Sequence, residues 1–269
     1  MTPEEKQKKL LSHLASLGSI AVAFSGGVDS TYLLWAAREA LGDRVLALTV
    51  ASDFVPRREL DRAEAFCRDR GIPLAMVPVD VLAVPGVADN PPDRCYLCKK
   101  ALFSRLWEVA RKRGFSVLAE GSNTDDGGDY RPGLRAVREL NVASPLRETG
   151  LTKAEIRVLS RAAGLPTWDK PSLACLASRF VYGETISEEK LTMVDRAEQL
   201  LLDLGFRQVR VRIHKNIARI EIDPSEFEKL LSHREQIRAA FRSYGFAYVT
   251  LDLEGYRTGS MNEVLHERG

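Results

Sequence analysis

Two cysteines stand two residues apart in the segment "RCYLCKK", where Cys95 and Cys98 belong to a chain with four cysteines in all. Cysteines at this spacing occur in disulfides, zinc sites, redox pairs and iron–sulfur sites. The charged start of the chain, "MTPEEKQKKLL", lacks the apolar core of a signal peptide, so we expect a cytoplasmic protein with reduced cysteines. This argues against a structural disulfide and leaves the other uses open.

A third cysteine, Cys175, lies in "PSLACLASR", a segment of small residues without helical or strand periodicity. The alternative to a reactive thiolate at this position is a buried, inert cysteine. A structural zinc ion would need a fourth Cys or His ligand, and the histidines are distant in sequence. The remaining cysteine, Cys67, lies in the helical pattern "EAFCRDRG", which predicts that it packs in the core.

A candidate phosphate loop, "SGGVDS", follows an apolar run and precedes a helical pattern. Gly26 and Gly27 have no Cβ, so the backbone can turn sharply and approach a phosphate closely. The N–H groups and dipole of the helix start favour an anion, and Ser25 and Ser30 add hydroxyl donors. Asp29 would repel phosphate unless Mg²⁺ lay between them. The loop lacks the Lys-Ser/Thr of a Walker A loop, and the alternative is a tight turn with a capping serine.

Two further polar segments are candidates for binding. "GSNTDD", from Gly121 to Asp126, is by itself typical of an Asx-type turn. In "VRVRIH" the residues Arg210 and Arg212 share one face of a predicted strand, and guanidinium forks suit phosphate. The alternative for these arginines is the solvated outer face of a small, half-exposed sheet.

The candidate residues lie in a chain whose predicted strands and helices alternate. Apolar runs ("SIAVAF", "RVLALTV", "PLAMVPV", "SVLAEG") alternate with helical patterns, which predicts an α/β fold with a doubly wound parallel sheet covered on both faces. Ligands of such sheets bind beyond the carboxyl ends of the strands. The segment 131–184 is rich in Pro and Gly and is predicted to be irregular. Beyond it, the pattern predicts a smaller α-β-β-α-β unit, so we place domains at 1–184 and 185–269.

Composition narrows the class of protein. The 269 residues are 45% hydrophobic and 28% charged, with a formal net charge of +2. These values are typical of a soluble globular protein and give no electrostatic reason to expect a nucleic-acid partner. No apolar run reaches the roughly 18 residues of a membrane helix, so we expect no membrane partner.

The motif "SGGVDS", followed by "GSNTDD", resembles the signature of the PP-loop ATP pyrophosphatase superfamily. A fuller resemblance, over nearly the whole chain, is to the ATP-dependent sacrificial sulfur transferases called LarE. It is carried by "AFSGGVDSTYL", "GSNTDDGGDYRPGLRA", "SPL", "PSLACLASRF", "VRVRIH" and "ARIEI". This resemblance implies an adenine nucleotide alpha hydrolase-like domain that uses ATP and Mg²⁺.

The resemblance also implies a reaction. A carboxylate of pyridinium-3,5-biscarboxylic acid mononucleotide would be adenylylated with release of pyrophosphate, and sulfur would then displace AMP to give a thiocarboxylate. The product is a precursor of the nickel-pincer nucleotide cofactor of lactate racemase. The partners implied are this small-molecule nucleotide and further copies of the chain, in trimer-based homo-oligomers of up to six subunits.

The resemblance assigns roles to residues. Those expected at ATP and pyrophosphate are Ser25, Gly26, Gly27, Asp29 (through Mg²⁺), Ser30, Gly121, Asn123 and Asp125. Those expected around the substrate and its phosphate are Lys99, Arg179, Glu198, Arg210, Arg212 and Glu221. For Lys99 and Arg179, the alternative is a solvent-exposed cation without a role.

The source of sulfur has two interpretations. In family members without the Cys95–Cys98 pair, the cysteine matching Cys175 gives up its sulfur and becomes dehydroalanine. Three thiolates instead suit a [4Fe–4S] cluster with one iron unligated by protein, as in a non-sacrificial subset of the family. We predict a cluster on Cys95, Cys98 and Cys175.

The competing functions are a tRNA thiolase, an amide-forming synthetase and a non-catalytic nucleotide- or metal-binding module.

Overall fold

The computed structural model describes residues 1–127, 132–171, 174–257 and 260. Contacts divide the chain into two compact units. The first consists of Met1–Val81 and Cys95–Leu173, and the second of Leu82–Arg94 and Ala174–Gly269. The domain boundary near Glu184 remains a prediction.

The first unit contains a parallel sheet of four strands, which confirms the predicted α/β fold. The strands are β1 (Ile20–Ala23), β2 (Val45–Ala51), β3 (Leu74–Pro78) and β4 (Leu118–Ala119). Their order is β3-β2-β1-β4, and every pairing is parallel. β1 therefore lies between β2 and β4, so that the segments following β1 and β4 leave the sheet side by side.

Helices pack on both faces of this sheet, since its strands are apolar at successive positions. On one face, Ile20 and Val22 share a core with residues of α1 and α2, and on the other, Ala21 joins a core with Phe103 and Trp107 of α4. The helices of this unit are α1 (Pro3–Ser16), α2 (Val28–Leu41), α3 (Arg57–Asp69), α4 (Arg94–Lys112, whose first residue belongs to the second unit), α5 (Gly133–Glu139), α6 (Pro145–Glu148) and α7 (Lys153–Ala162).

The prediction of an irregular segment over 131–184 was wrong, because α5, α6 and α7 lie within it. α7 begins with a capping box in which Thr152 and Glu155 satisfy each other's backbone N–H groups. The buried Ile156 and Leu159 then anchor the helix. The pattern T-x-x-E before an apolar pair was the signal for this helix, and the surrounding Pro and Gly residues obscured it.

The second unit follows the predicted α-β-β-α-β order, except that two helices stand in place of the second predicted helix. Its elements are α8 (Glu188–Asp203), β5 (Arg210–His214), β6 (Ile217–Glu221), α9 (Phe227–Ser232), α10 (Arg234–Ser243) and β7 (Tyr248–Leu251). β5 pairs antiparallel with β6, and β6 pairs parallel with β7, which gives a small mixed sheet. Among the described residues, no helix has the length and apolar character needed to cross a membrane.

Candidate active site

The phosphate loop directly follows β1 and forms the start of α2. Gly26 has a φ of 69°, in the left-handed region that favours glycine. Gly27 is the N-cap of α2, and no side chain accepts a hydrogen bond from the first turn at this cap. The hydroxyls of Ser25 and Ser30 lie 3.0 Å apart in the same loop. An oxyanion is a suitable acceptor for the donors gathered here.

The structure brings "GSNTDD" against this loop, at the ends of the neighbouring strands β1 and β4. Asn123 Nδ2 donates to Asp29 Oδ1 at 3.4 Å. Asp125 accepts a hydrogen bond from the backbone N–H of Lys153 at 2.8 Å, and the Nζ of Lys153 lies 2.5 Å from Asp29 Oδ2. The nucleotide residues expected from the sequence therefore form one constellation, together with a lysine that sequence reasoning missed. A single lysine at the start of a helix carries no pattern that marks it as functional.

Gly121 sets the distance between the two segments. A Cβ built on this residue would lie 2.9 Å from the backbone nitrogen of Ser30 and 3.2 Å from the carbonyl carbon of Asp29. Both neighbours are backbone atoms of the first turn of α2, so neither can give way without moving the helix. Only glycine allows "GSNTDD" to pack this closely on the phosphate loop.

We expect Gly121→Ala to weaken ATP binding by about 10-fold, because forcing a methyl group into a close-packed contact costs about 1–3 kcal/mol. Titration calorimetry with ATP measures the effect. Gly18→Ala is a control for backbone strain without a steric clash, since a Cβ there meets no atom within 4 Å but the φ of 75° is left-handed, unlike that of Gly121. An affinity unchanged by Gly121→Ala would show that this contact does not shape the nucleotide site.

The cysteine pair occupies the first turn of α4. Cys95 and Cys98 are three residues apart in the helix and so lie on one face of it. Cys95 is half-buried and Cys98 is 9% exposed. Gly133, at the start of α5, packs on the same turn, since a Cβ on it would lie 2.7 Å from Lys99 Cδ and 3.4 Å from the Cys95 carbonyl oxygen.

Some residues of the quoted motifs lie outside the described part of the chain. These are residues 128–131 of "GSNTDDGGDYRPGLRA" and Ser172 and Leu173 of "PSLACLASRF".

Cys67 is described and lies in the core of the first unit, as predicted. Burial raises the pKa of its thiol to about 12, which makes it a poor nucleophile.

In the second unit, the exposed Cys175 lies directly before a 3-10 helix, Leu176–Arg179. Arg179 is 2% exposed, so the alternative that it is a solvent-exposed cation is wrong. Its Nε and Nη2 donate to the two carboxylate oxygens of Glu198 at 2.8 and 2.9 Å. Its Nη1 donates to the carbonyls of Ala174 and Cys175 at 2.7 and 3.0 Å. A buried ion pair thus fixes the backbone on either side of the Cys175 side chain.

A second buried pair supports the same turn. Arg212 Nε and Nη2 donate to the carboxylate of Glu221 at 3.0 and 2.9 Å, and Arg212 Nη1 donates to the carbonyl of Ser178 at 2.8 Å. A third arginine, Arg94, donates to the carbonyl of Ala177 at 2.9 Å. Three buried guanidinium groups therefore bind the backbone of the segment that carries Cys175. We name residues 174–179 the cysteine turn.

The interpretation of β5 as a half-exposed strand with a solvated arginine face was wrong. Arg210 is 4% exposed and Arg212 is 5% exposed, so both faces of β5 are covered. Period-2 alternation shows which residues share a face but not whether another segment covers that face. The cysteine turn covers Arg212, since Ser178 accepts a hydrogen bond from it, and the next residue, Phe180, forms a β-bridge to Ile213. The guanidinium of Arg210 lies over the ring of Tyr256, 5.2 Å from its centroid.

The buried charged side chains of the second unit include more cations than anions. The buried charged side chains among the described residues of the second unit are Arg94, Arg179, Arg210, Arg212, Glu198 and Glu221. Although burial raises the pKa of Glu198, the charge of Arg179 and its hydrogen bonds hold that pKa below its ordinary value. Burial, with the charge of Arg179, lowers the pKa of Arg210 to about 10. With four buried cations and two buried anions, the region favours an added anion.

The three candidate sulfur ligands are divided between the units, with Cys95 and Cys98 in the first and Cys175 in the second. In the described part of each unit, no three His, Cys, Asp or Glu side chains are grouped as ligands of a metal ion. Lys99 likewise belongs to the first unit, whereas the arginines and glutamates expected around the substrate phosphate belong to the second.

Comparison with known proteins identifies the family. No protein-family model matches the chain. It is 37% identical over 261 residues to the pyridinium-3,5-bisthiocarboxylic acid mononucleotide synthase of Lactiplantibacillus plantarum, covering 97% of this chain and 95% of that protein. It is 42% identical over 264 residues to an uncharacterised protein of Synechocystis, covering 97% and 98% of the two chains. A weaker similarity, 29% over 202 residues, covers 69% of this chain and 64% of a subunit of the glutamine-hydrolysing GMP synthase of Thermoplasma acidophilum. The chain belongs to the LarE family of sulfur transferases, within the PP-loop ATP pyrophosphatase superfamily.

Proposed function

We propose that the protein is an ATP-dependent sulfur transferase that acts on pyridinium-3,5-biscarboxylic acid mononucleotide and converts its carboxylates to thiocarboxylates. The observation that carries this proposal is the similarity, over 97% of the chain, to a synthase whose name states the bisthiocarboxylic acid product. The reaction would then be a step in the biosynthesis of the nickel-pincer nucleotide cofactor. A cytoplasmic location and a trimer-based assembly remain predictions.

In the first step, a carboxylate oxygen of the substrate attacks the α-phosphorus of ATP. The bond from that phosphorus to the bridging oxygen breaks, so an acyl adenylate forms and pyrophosphate leaves. The uncapped start of α2 and the Ser25 and Ser30 hydroxyls would hold the departing pyrophosphate. Asp29 would hold Mg²⁺ between itself and the phosphates. Lys153, which lies beside Asp29, would then be free to neutralise pyrophosphate charge.

In the second step, a sulfur nucleophile attacks the acyl carbon and AMP leaves with the electrons of the broken C–O bond. If Cys175 is the nucleophile, a thioester forms. Loss of the Cys175 Cα proton and cleavage of its Cβ–Sγ bond then release the thiocarboxylate and leave dehydroalanine. Each chain would make one thiocarboxylate in this way. Cys175 is exposed, as either interpretation of the sulfur source requires.

We propose that Cys95, Cys98 and Cys175 instead hold a [4Fe–4S] cluster. Two cysteines on one face of the first turn of α4 fit adjacent ligand positions. Arg94, the first residue of α4, donates to the carbonyl of Ala177 in the cysteine turn, a contact within the second unit. When bound, such a cluster would supply a replaceable sulfide, and Cys175 would then not be consumed.

Anaerobic reconstitution with iron and sulfide tests the ligands. We expect Cys95→Ala to lower bound iron to near background and to limit product to one thiocarboxylate per chain, because two thiolates do not retain the cluster. Cys67→Ala is the control, since Cys67 lies in the core and should leave iron content unchanged. If Cys95→Ala retains as much iron as the unmodified protein, Cys95 is not a ligand.

We further propose that the arginines of the second unit bind the phosphate of the substrate. The excess of buried positive charge supports this, and the depressed pKa of Arg210 indicates that an anion would relieve it. Glu198 and Glu221 would orient Arg179 and Arg212, whose donors they already occupy. Lys99 is the remaining candidate for contact with the substrate or the adenylate.

Release of pyrophosphate tests the function. With ATP and Mg²⁺, we expect release to require pyridinium-3,5-biscarboxylic acid mononucleotide. Release that depends on tRNA instead would favour a tRNA thiolase. Release that depends on ammonia would favour an amide-forming synthetase. No release under any of these conditions would favour a non-catalytic nucleotide-binding module.

A further inference from the structure

A half-buried lysine that has no part in the steps above contacts the phosphate loop. Lys170 has a side chain that is 14% exposed, and its Nζ lies 2.8 Å from the carbonyl oxygen of Gly26. The same Nζ lies 2.6 Å from Glu59 Oε2, at the start of α3. The other carboxylate oxygen of Glu59 accepts a hydrogen bond from Arg62 at 2.8 Å. Lys170 thus joins the loop to α3.

The contact with Gly26 determines where the next N–H group points. In a trans peptide, the N–H of Gly27 is directed opposite to the carbonyl of Gly26. Because that carbonyl faces Lys170, the Gly27 N–H faces away from Lys170 and donates to the Ser25 hydroxyl oxygen at 3.4 Å. Gly26 and Gly27 both lack a Cβ, so sterics alone do little to prevent rotation of this peptide. A directed donor at the carbonyl favours one of the two orientations.

The backbone of Lys170 is itself anchored. Arg157 of α7 donates from Nη1 to the carbonyl of Trp168 at 2.7 Å and from Nη2 to the carbonyl of Lys170 at 2.8 Å. α7 also begins with Lys153, which contacts Asp29 on the loop. One helix therefore supports both lysines that contact the segment 25–30.

We propose that Lys170 is a positioning residue for pyrophosphate recognition, which acts by holding the Gly26–Gly27 peptide with the Gly27 N–H directed to the bound phosphate. The inference rests on the proposed function, since it assumes that this loop binds ATP. Glu59 holds the ammonium group in place, because a buried carboxylate at 2.6 Å restricts where it can lie. The ion pair between the half-buried Lys170 and the buried Glu59 adds little net stability, so its main effect here is on the geometry of the loop.

Calorimetric titration of the full-length chain with ATP, pyrophosphate and adenosine provides the test. We expect Lys170→Met to weaken ATP and pyrophosphate binding by about 10-fold, as expected for one misdirected charge-assisted hydrogen bond. Adenosine binding should change by less than about 2-fold, because adenosine has no phosphate for the loop to bind. Lys170→Arg should restore most of the affinity for pyrophosphate, since a guanidinium can donate to both partners.

Glu59→Gln should reproduce part of the loss of pyrophosphate affinity seen in Lys170→Met. Arg62→Gln is the matched control and should leave the affinities for ATP, pyrophosphate and adenosine unchanged, because Arg62 contacts Glu59 from the exposed side. Equal loss of adenosine and pyrophosphate binding in Lys170→Met would overturn the inference, since it would show general damage to the unit. Unchanged pyrophosphate binding would also overturn it. If the unmodified protein binds no ATP, the proposed function fails and the inference with it.

Discussion

Replacing Arg179 by methionine is expected to lower the free energy of unfolding by about 3–5 kcal/mol, because it leaves the charge of Glu198 buried without its counterion. Glu198 is 3% exposed, so water cannot replace the two guanidinium donors. The substitution also removes the donor to the carbonyls of Ala174 and Cys175, so we expect sulfur transfer to be lost as well. Denaturant unfolding and product analysis measure the two effects.

The pH dependence of this effect has a definite sign. With Arg179 present, the pKa of Glu198 lies below its ordinary value, so the pair stabilises the fold above the ordinary carboxyl pKa and the contribution is lost as pH falls. Without Arg179, burial still raises the pKa of Glu198, and only the charge of Arg210 and the backbone N–H of Val211 oppose it, so the pKa of Glu198 rises. The stability deficit of Arg179→Met should therefore shrink as pH falls and Glu198 takes up a proton.

The double substitution Arg179→Met, Glu198→Leu separates stability from positioning. Replacing a buried ion pair by apolar side chains is often neutral or stabilising by about 1–4 kcal/mol. We expect the double variant to unfold close to the unmodified protein but to remain inactive, because the cysteine turn still lacks its donor. Arg238→Met, at an exposed pair with Glu235, is the control and should change stability by less than about 1 kcal/mol. A single variant as stable as the unmodified protein would contradict the proposed role of the pair.

Replacing Cys175 by alanine is expected to reduce thiocarboxylate formation by at least about 1000-fold, as is common when an essential group in covalent chemistry is removed. Both sulfur routes require this thiolate, either as the nucleophile or as a cluster ligand. Pyrophosphate release should persist, because the donors of the phosphate loop belong to the first unit. The exposed position of Cys175 means that the substitution should not lower stability.

Parallel assays of pyrophosphate and thiocarboxylate check this separation. Cys67→Ala should retain both activities, since Cys67 is a core residue whose pKa is raised to about 12. Thiocarboxylate formation by Cys175→Ala at the rate of the unmodified protein would mean that sulfur reaches the adenylate without this residue. Loss of both activities would mean that the cysteine turn is needed for adenylylation as well.

The phosphate loop and its sheet could be predicted from sequence because the residues that determine each element are adjacent in the chain. "SGGVDS" is contiguous, and the apolar runs of β1 to β3 are bounded by clear turns. Asn123 and Asp125 could be placed near the loop because parallel strands deliver their following segments to one edge. The helices α5 to α7 were missed because they are short and interrupted by Pro and Gly, so composition hid their capping signals.

Contacts between distant segments could not be predicted. Lys153 and Lys170 approach the loop from far along the chain, at sequence separations of 124 and 144 from their partners. Arg212 is buried by contact with the cysteine turn, and Arg210 lies over the ring of Tyr256, and no property of "VRVRIH" reveals either contact. The pairing of Arg179 with Glu198 has the same origin, since nothing in either local sequence identifies its partner.

Mass spectrometry of the nucleotide and the protein from one reaction tests sulfur transfer most directly. The reaction would contain the anaerobically reconstituted protein, ATP, Mg²⁺, sulfide and pyridinium-3,5-biscarboxylic acid mononucleotide. We expect sulfur to replace carboxylate oxygen in more than one product molecule per chain, with Cys175 unchanged in mass. Product limited to one sulfur per chain, with Cys175 converted to dehydroalanine, would contradict the cluster but retain the transferase. A nucleotide that gains no sulfur while ATP is present would contradict the proposed activity itself.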